Sequence, residues 1–366
     1  MVLRQMKYMG CVAAMMVGGL GAASPCDAPG RHVVHAGESI QRAVDRARPG
    51  DTIVIRPGHY RESVLIDKSR LRLVGAGHRT VISPSGKRAT NACGQSGNGI
   101  CVVGKGRLRD VSIRSLTVRG FKKNGIFASG TDRLSVHHVT VRKNGVWGIA
   151  QEKSIRGMFR DNTVVDNGDA GIFIANKTRE EGGGTDTRGA VISDNYLAGN
   201  RIGVTIRRVR NLTVGYNTIT RNCGGVFIVG DESRPQAGAL TVRNNSIYRN
   251  NKYCPGNSRL PYIQGSGIVL TGAEHVQVRR NVIRENRGKS PLSGGVVLFH
   301  SFVKVLNHHN VISHNIVLRN KPVDLANRDL PGKGNRFIRN VCRTSEPAGL
   351  CRPLHRDGLN PSATGE

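Results

Sequence analysis

Five stretches of this chain concentrate side chains that could do chemistry. They are Asn176 to Asp186 (NKTREEGGGTD), Arg207-Arg208-Val209-Arg210, Asp231-Glu232-Ser233-Arg234, Glu274-His275, and His300 to Lys304. Glu180, Glu181, Asp186, Asp231 and Glu232 supply hard carboxylate oxygens, so Ca²⁺ is the one cofactor they suggest. Lys177, Arg179, Arg207 and Arg210 are cations suited to binding an acidic substrate, and the arginine fork grips a carboxylate through two parallel hydrogen bonds. Arg208, Arg234, His300 and Lys304 are the candidate catalytic groups, as acid, base or carboxylate clamp. Asp231 and Glu232 are adjacent, so in extended backbone they point opposite ways and only one of them joins a site. Only a fold that returns the chain repeatedly to the same place unites such distant stretches.

The sequence contains such a return. From Gly125 onward one pattern recurs: GIFASGTDRLSVHHVTVRKN, then GVWGIAQEKSIRGMFRDNTVVDN, and so on to PVDLANRDLPGKGNRFIRN. Each copy has a Gly-apolar-x-apolar strand, a variable turn, an apolar-x-apolar strand, and Asn-x-apolar-x-x-Asn. Asparagines recur at 162, 195, 217, 245, 281, 315 and 335. Copies of this length with short strands and no helical period predict a β-solenoid, whose rungs bury their apolar side chains only by stacking. The asparagines then superpose into amide ladders, a structural role. The five charged stretches all fall at the turn after the Gly-apolar-x-apolar strand, so they are expected to gather on one side.

The ends read differently. Arg4 and Lys7 precede an apolar run, Gly10 to Leu20, and then small residues, a secretory signal pattern predicted to be cut after Ala23. The run is too short to span a bilayer, so no membrane span is expected and the mature chain is predicted to be secreted. Residues 24–75 are read as an N-terminal cap with the first strands. Within it Ser39 to Ala47 forms one short helix, with Ser39 as N-cap, covering the open end of the solenoid. Residues 76–343 carry the rungs, and 344–366 the C-terminal tail, expected to be loose from Arg352 onward. The spacings pair Cys93 with Cys101, Cys342 with Cys351, and Cys223 with Cys254, leaving Cys26 over.

Composition limits the function classes. Lys+Arg 55 against Asp+Glu 25 gives a formal net charge of +30, so an anionic partner is expected. Nucleic acid is disfavoured: no recognition helix appears, and aromatics are only 4%. Three further features have plain readings. Trp147, the sole tryptophan, could stack on a sugar but is expected to be a rung side chain. His137-His138 and His308-His309 are strand neighbours facing opposite sides, so shared chelation is not expected. Gly182 to Gly184 lacks the Lys-Ser/Thr and helix of a phosphate loop.

With the capping helix, GDTIVIRPGHY (50–60) and the Gly-Ile…Asn-x-Ile-x-x-Asn rungs, the chain resembles the pectate-lyase-like superfamily over roughly 33–340. The resemblance implies an all-β, right-handed parallel β-helix. It is specific for fold and nearly silent on activity, because that fold hosts polysaccharide lyases, polygalacturonases, epimerases and accessory proteins. The polygalacturonase motifs Asn-Thr-Asp, Asp-Asp, Gly-His-Gly and Arg-Ile-Lys are absent, as is the Asp-Pro-His-Asp of alginate epimerases, so no family catalytic residue carries over. The expected function is action on acidic, uronate-type polysaccharide or an anionic cell-wall polymer, by lyase or C5-epimerase chemistry and as a monomer. The alternative is a non-catalytic β-helix that binds cell-surface glycan or assists maturation of an exported protein.

Overall fold

A computed structural model describes residues 28–177, 182–230, 232–257 and 260–352. Each coil of the chain contributes one short strand to each of three parallel sheets. In one coil these strands are Ser135–His137 in the first sheet, Thr140–Arg142 in the second and Ile149–Glu152 in the third, and the next coil returns to the first sheet at Met158–Arg160. Pairing is in register, so like residues form columns along the axis. Val136, Phe159, Ile192, Val214, Val242 and Val278 line one inward column, and Val141, Val164, Leu197, Ile219, Ile247 and Ile283 another. All twelve are fully buried, and each burial removes apolar surface worth roughly 1.5–3 kcal/mol.

Asparagine ladders hold the corners. In the first, Asn162, Asn195, Asn217, Asn245, Asn281 and Asn315 each donate their backbone N–H and Nδ2 to Oδ1 of the next, at 2.9–3.1 Å. The ladder continues to Asn340, not to Asn335 as the repeat spacing suggested; Asn335 accepts instead from Asn310. The last Asn of the repeat motif forms a second ladder from Asn144 through Asn167, Asn200, Asn222, Asn250 and Asn286 to Asn320. Asp324 ends it, with Oδ1 accepting from Asn320 N and Nδ2 and Oδ2 from Arg343 N. A carboxylate suits that end because only acceptors are needed there. The rung-opening glycines have a steric cause: a Cβ at Gly203 would lie 2.4 Å from Ile219 Cγ2 in the core.

The helix Ile40–Arg46 covers the first coil with Ile40 and Val44. Ser39 caps it as expected, accepting from Arg42 N at 3.2 Å. Glu62 accepts from Ile40 N and Gln41 N, and Lys68 Nζ donates to the carbonyls of Val44, Asp45 and Ala47, so a carboxylate meets the positive end and an ammonium the negative end. The three expected disulfides are formed, Cys93–Cys101, Cys223–Cys254 and Cys342–Cys351. Among the described residues no helix is long and apolar enough to cross a membrane. The signal pattern, Cys26 and the tail beyond Arg352 lie outside the described residues; Arg352 itself donates to Asn340 O.

Candidate functional site

The turn after the third sheet gathers the charged stretches on one corner. Asn176 Nδ2 donates to the carbonyls of Gly182 and Gly183, and Gly184 N donates to Pro235 O at 2.5 Å. A Cβ at Gly183 would lie 2.1 Å from Arg234 O, so glycine there lets the two loops meet. Gln236 Nε2 reaches Leu306 O at 3.4 Å, joining the 300–306 turn to the same corner.

The individual side chains differ in what they do there. Arg210 Nη1 donates to Gln236 O at 2.7 Å and to Glu274 Oε1 at 2.5 Å, pinning three coils together. Arg207 projects outward from the third sheet, with Nη2 on Lys177 O at 3.3 Å. Arg208 is buried, whereas Glu232, Arg234 and Lys304 are exposed. His300 is exposed and stacks on Phe299 at 4.4 Å. Asp186 Oδ1 accepts from Arg188 N at 2.6 Å. Arg179, Glu180, Glu181 and Asp231 lie outside the described residues. Among the described residues no group of three or more His, Cys, Asp or Glu is arranged to hold a metal ion.

A second region emerges from strand register. Residues at the x of Gly-apolar-x-apolar face outward from the third sheet: Leu65, Cys101, Phe127, Ala150, Phe173, Thr205, Phe227, Val269 and Val297 form one column. Apart from Thr205 it is apolar, unlike the solvated outer face expected of a half-buried strand. Its first part floors a groove. A cleft of about 740 Å³ lies over Leu65, Cys101 and Phe127, bordered by Asp67, Lys105 and Arg107. A second cleft, of about 580 Å³, lies against the capping helix, where Glu62 already serves as the cap.

Beyond that cleft, on the same outer face, Trp147 packs against the next coil. Its half-buried ring lies flat on the outward Phe173, with centroids 4.3 Å apart and planes at 1°. Trp147 Nε1 donates to Asp169 Oδ2 at 3.3 Å. Burial pushes the Asp169 carboxyl above the usual carboxylate range, against the hydrogen bond from Trp147 and the charge of Arg201. Arg201 N follows Asp169 along the same corner, donating to Asp169 O. Arg201 is 9% exposed; Nη1 donates to Pro255 O at 2.7 Å, and the buried Nη2 has no hydrogen-bond partner among the described residues. Thr205 Oγ1, in the outward column, is likewise buried without a partner among the described residues. Asp169 and Arg201 hold the same position just before the third-sheet strand in successive copies, where the preceding copy has Val146, and Trp147 is the next residue; aligning these two neighbouring positions would have found them.

The histidine pairs sit elsewhere. His137 and His138 do meet, Nδ1 to Nδ1 at 3.0 Å, because His138 leaves the strand with φ 56° and strand alternation no longer separates them. Burial pushes the His137 imidazole below its ordinary value. His309 stacks on His275 at 5.1 Å rather than sharing a site with His308.

A family profile described as a right-handed beta helix region matches residues 88–247. Among solved structures, a mannuronan C-5 epimerase A-module from Azotobacter vinelandii is 19% identical, covering 87% of this chain and 94% of its own, with a TM-score of 0.60. An alginate lyase from Paenibacillus sp. str. FPU-7 is 15% identical over 78% of this chain and 95% of its own, with a TM-score of 0.53. A lidless DFA-IIIase from Arthrobacter chlorophenolicus A6 is 16% identical over 88% and 97%, with a TM-score of 0.51. No curated protein sequence matches. The chain has the right-handed parallel β-helix fold, consistent with the pectate-lyase-like superfamily.

Proposed function

We propose that this chain is an exported, carbohydrate-active β-helix that acts on acidic, uronate-type polysaccharide by lyase or C5-epimerase chemistry. The observation that carries the reading is the Trp147–Phe173 stack on the outer face of the third sheet, bordered by Asp169 and by Arg201, whose Nη2 has no partner among the described residues. Flat aromatic faces take the apolar side of a sugar ring, and a guanidinium takes its carboxylate. The A. vinelandii and Paenibacillus neighbours, an epimerase and an alginate lyase, agree with that substrate class.

In this reading Arg201 neutralises a uronate carboxylate and acidifies its C5 proton. Asp169 in its ionised form accepts that proton. In elimination the C4–O bond breaks as the C4–C5 double bond forms, and the Asp169 proton passes to the departing oxygen. In epimerisation the carbanion is reprotonated on its other face. Arg234, His300, Lys304 and Arg207, on the neighbouring corner, are proposed to guide the polymer, with Lys177.

The alternative is a non-catalytic module that binds cell-surface glycan. The corner's own charges favour it, since Arg210–Glu274 and the forked Arg133–Asp110 and Arg156–Asp132 pairs satisfy each other at 2.5–2.8 Å. Ultraviolet absorbance of the double bond over pectate, alginate, hyaluronan and heparinoids, with proton exchange at C5 for epimerisation, separates the two. Product that disappears in Asp169→Asn supports the enzyme, with or without chelator. Retention on a polymer gel without product supports the module. Neither product nor retention overturns both.

A further inference from the structure

We infer that the groove on the third sheet is closed at one end, so that the chain takes its polymer by a terminus rather than across its middle; this rests on the polysaccharide reading above. Along the outward column Leu65 and Phe127 are half-buried, with the small Cys101 and Ala150 buried between and after them; half-buried Trp147 covers Phe173, and from there on the column is buried. Phe227, Val269 and Val297 are 0–1% exposed although their side chains leave the coil. They pack with Cys254, Leu260 and Ile263 of a strap that crosses the sheet, and with Leu292 of the next coil.

The strap is fastened at three points. Cys254 is bonded to Cys223, Lys252 Nζ donates to Gly199 O at 2.7 Å, and Arg201 Nη1 donates to Pro255 O at 2.7 Å. Disulfide and packing make it a fixed wall. The floor, formed by half-buried Leu65 and Phe127 and by the Trp147 ring stacked on buried Phe173, spans four strand steps, roughly 19 Å at about 4.8 Å per step, enough for a few sugar units. Arg201 stands at the wall with Nη2 unpartnered among the described residues, so the group that reaches the wall is an anion, the carboxylate of a terminal uronate.

The test is stoichiometry against length. Oligogalacturonates and oligomannuronates, as tetramer, octamer and long polymer, are mixed with the intact protein and analysed by sedimentation velocity. A closed groove loads one protein per polymer chain at every length. Loading that rises in proportion to length overturns the closed end while leaving the polysaccharide reading intact. No binding at any length overturns that reading and the inference with it. Cys223→Ala/Cys254→Ala, checked for retained fold by circular dichroism, frees the strap and is expected to raise loading on the long polymer; unchanged single loading by the folded variant would assign the end effect to something other than the strap and overturn the proposal.

Discussion

Replacing Asn217 by Ala tests the corner ladders most sharply. Asn217 Oδ1 accepts from Asn195 N at 3.0 Å and Asn195 Nδ2 at 2.9 Å, while its own Nδ2 donates to Asn245 Oδ1, Ile192 O and Gly215 O at 2.9–3.0 Å. Truncation leaves the Asn195 N–H buried with no acceptor, at about 1–3 kcal/mol. The remaining lost bonds add about 0.5–1.5 kcal/mol each, less where a carbonyl keeps its strand partner. Water filling the gap recovers part of this. The expected loss is about 3–4 kcal/mol in urea unfolding followed by circular dichroism. Asn335→Ala is the control: it removes the same acceptor from Asn310 at the half-exposed last coil, where solvent replaces it, and should cost about 1 kcal/mol. Equal losses at the two positions would refute the argument that burial of the unsatisfied donors sets the cost.

Three further outcomes follow from specific contacts. Asp51 accepts from Gly30 N, Arg48 N and His32 Nε2, and its carboxyl lies at about 2. Because the folded value is depressed, the stability it supplies is present above the ordinary carboxylate value and is lost as pH falls from about 4 toward 2. Asp51→Asn should remove about 1–2 kcal/mol at neutral pH after solvent screening, and should flatten the melting temperature across that acid range. Asp169 has the opposite sign. Its raised carboxyl makes its contribution full below the unfolded value and lost as pH rises through the folded one, so Asp169→Asn should melt higher than the parent at neutral pH, and a lower melt would contradict the buried-carboxyl account. Glu274→Ala leaves the half-buried Arg210 guanidinium without its carboxylate and should destabilise by about 1–2 kcal/mol, measured by thermal unfolding, between the values for surface and buried pairs.

Much of the fold was legible because solenoid packing repeats itself in the sequence. Glycine before an apolar pair, apolar-x-apolar, and the first asparagine column each keep one geometric role per coil. The error at Asn335 arose where the repeat loses its regular length; the bonds, not the spacing, show that Asn340 takes that place. Glu62 and Lys68, which cap the helix ends, were not foreseen because they lie two and three strands further along the chain than the helix. The shared corner was legible because insertions at one point of a coil superpose. Its pairings were not: Arg210 and Glu274 are 64 residues apart and meet only when the coils stack. The apolar outer face was visible in principle. The x of Gly-apolar-x-apolar is Phe, Ala, Phe, Thr, Phe, Val and Val in successive strands, apolar in all but one, as in a sheet buried on both faces.

The most direct test of the central claim uses the sole tryptophan. Trp147 lies in the proposed groove on Phe173, so its fluorescence reports a sugar arriving there without any label. Titration with oligogalacturonate and oligomannuronate should give a saturable change in Trp147 emission, weakened by Arg201→Met and absent with a neutral glucan. Acidic polymer that binds while the Trp147 emission stays unchanged would place the ligand elsewhere and contradict the account.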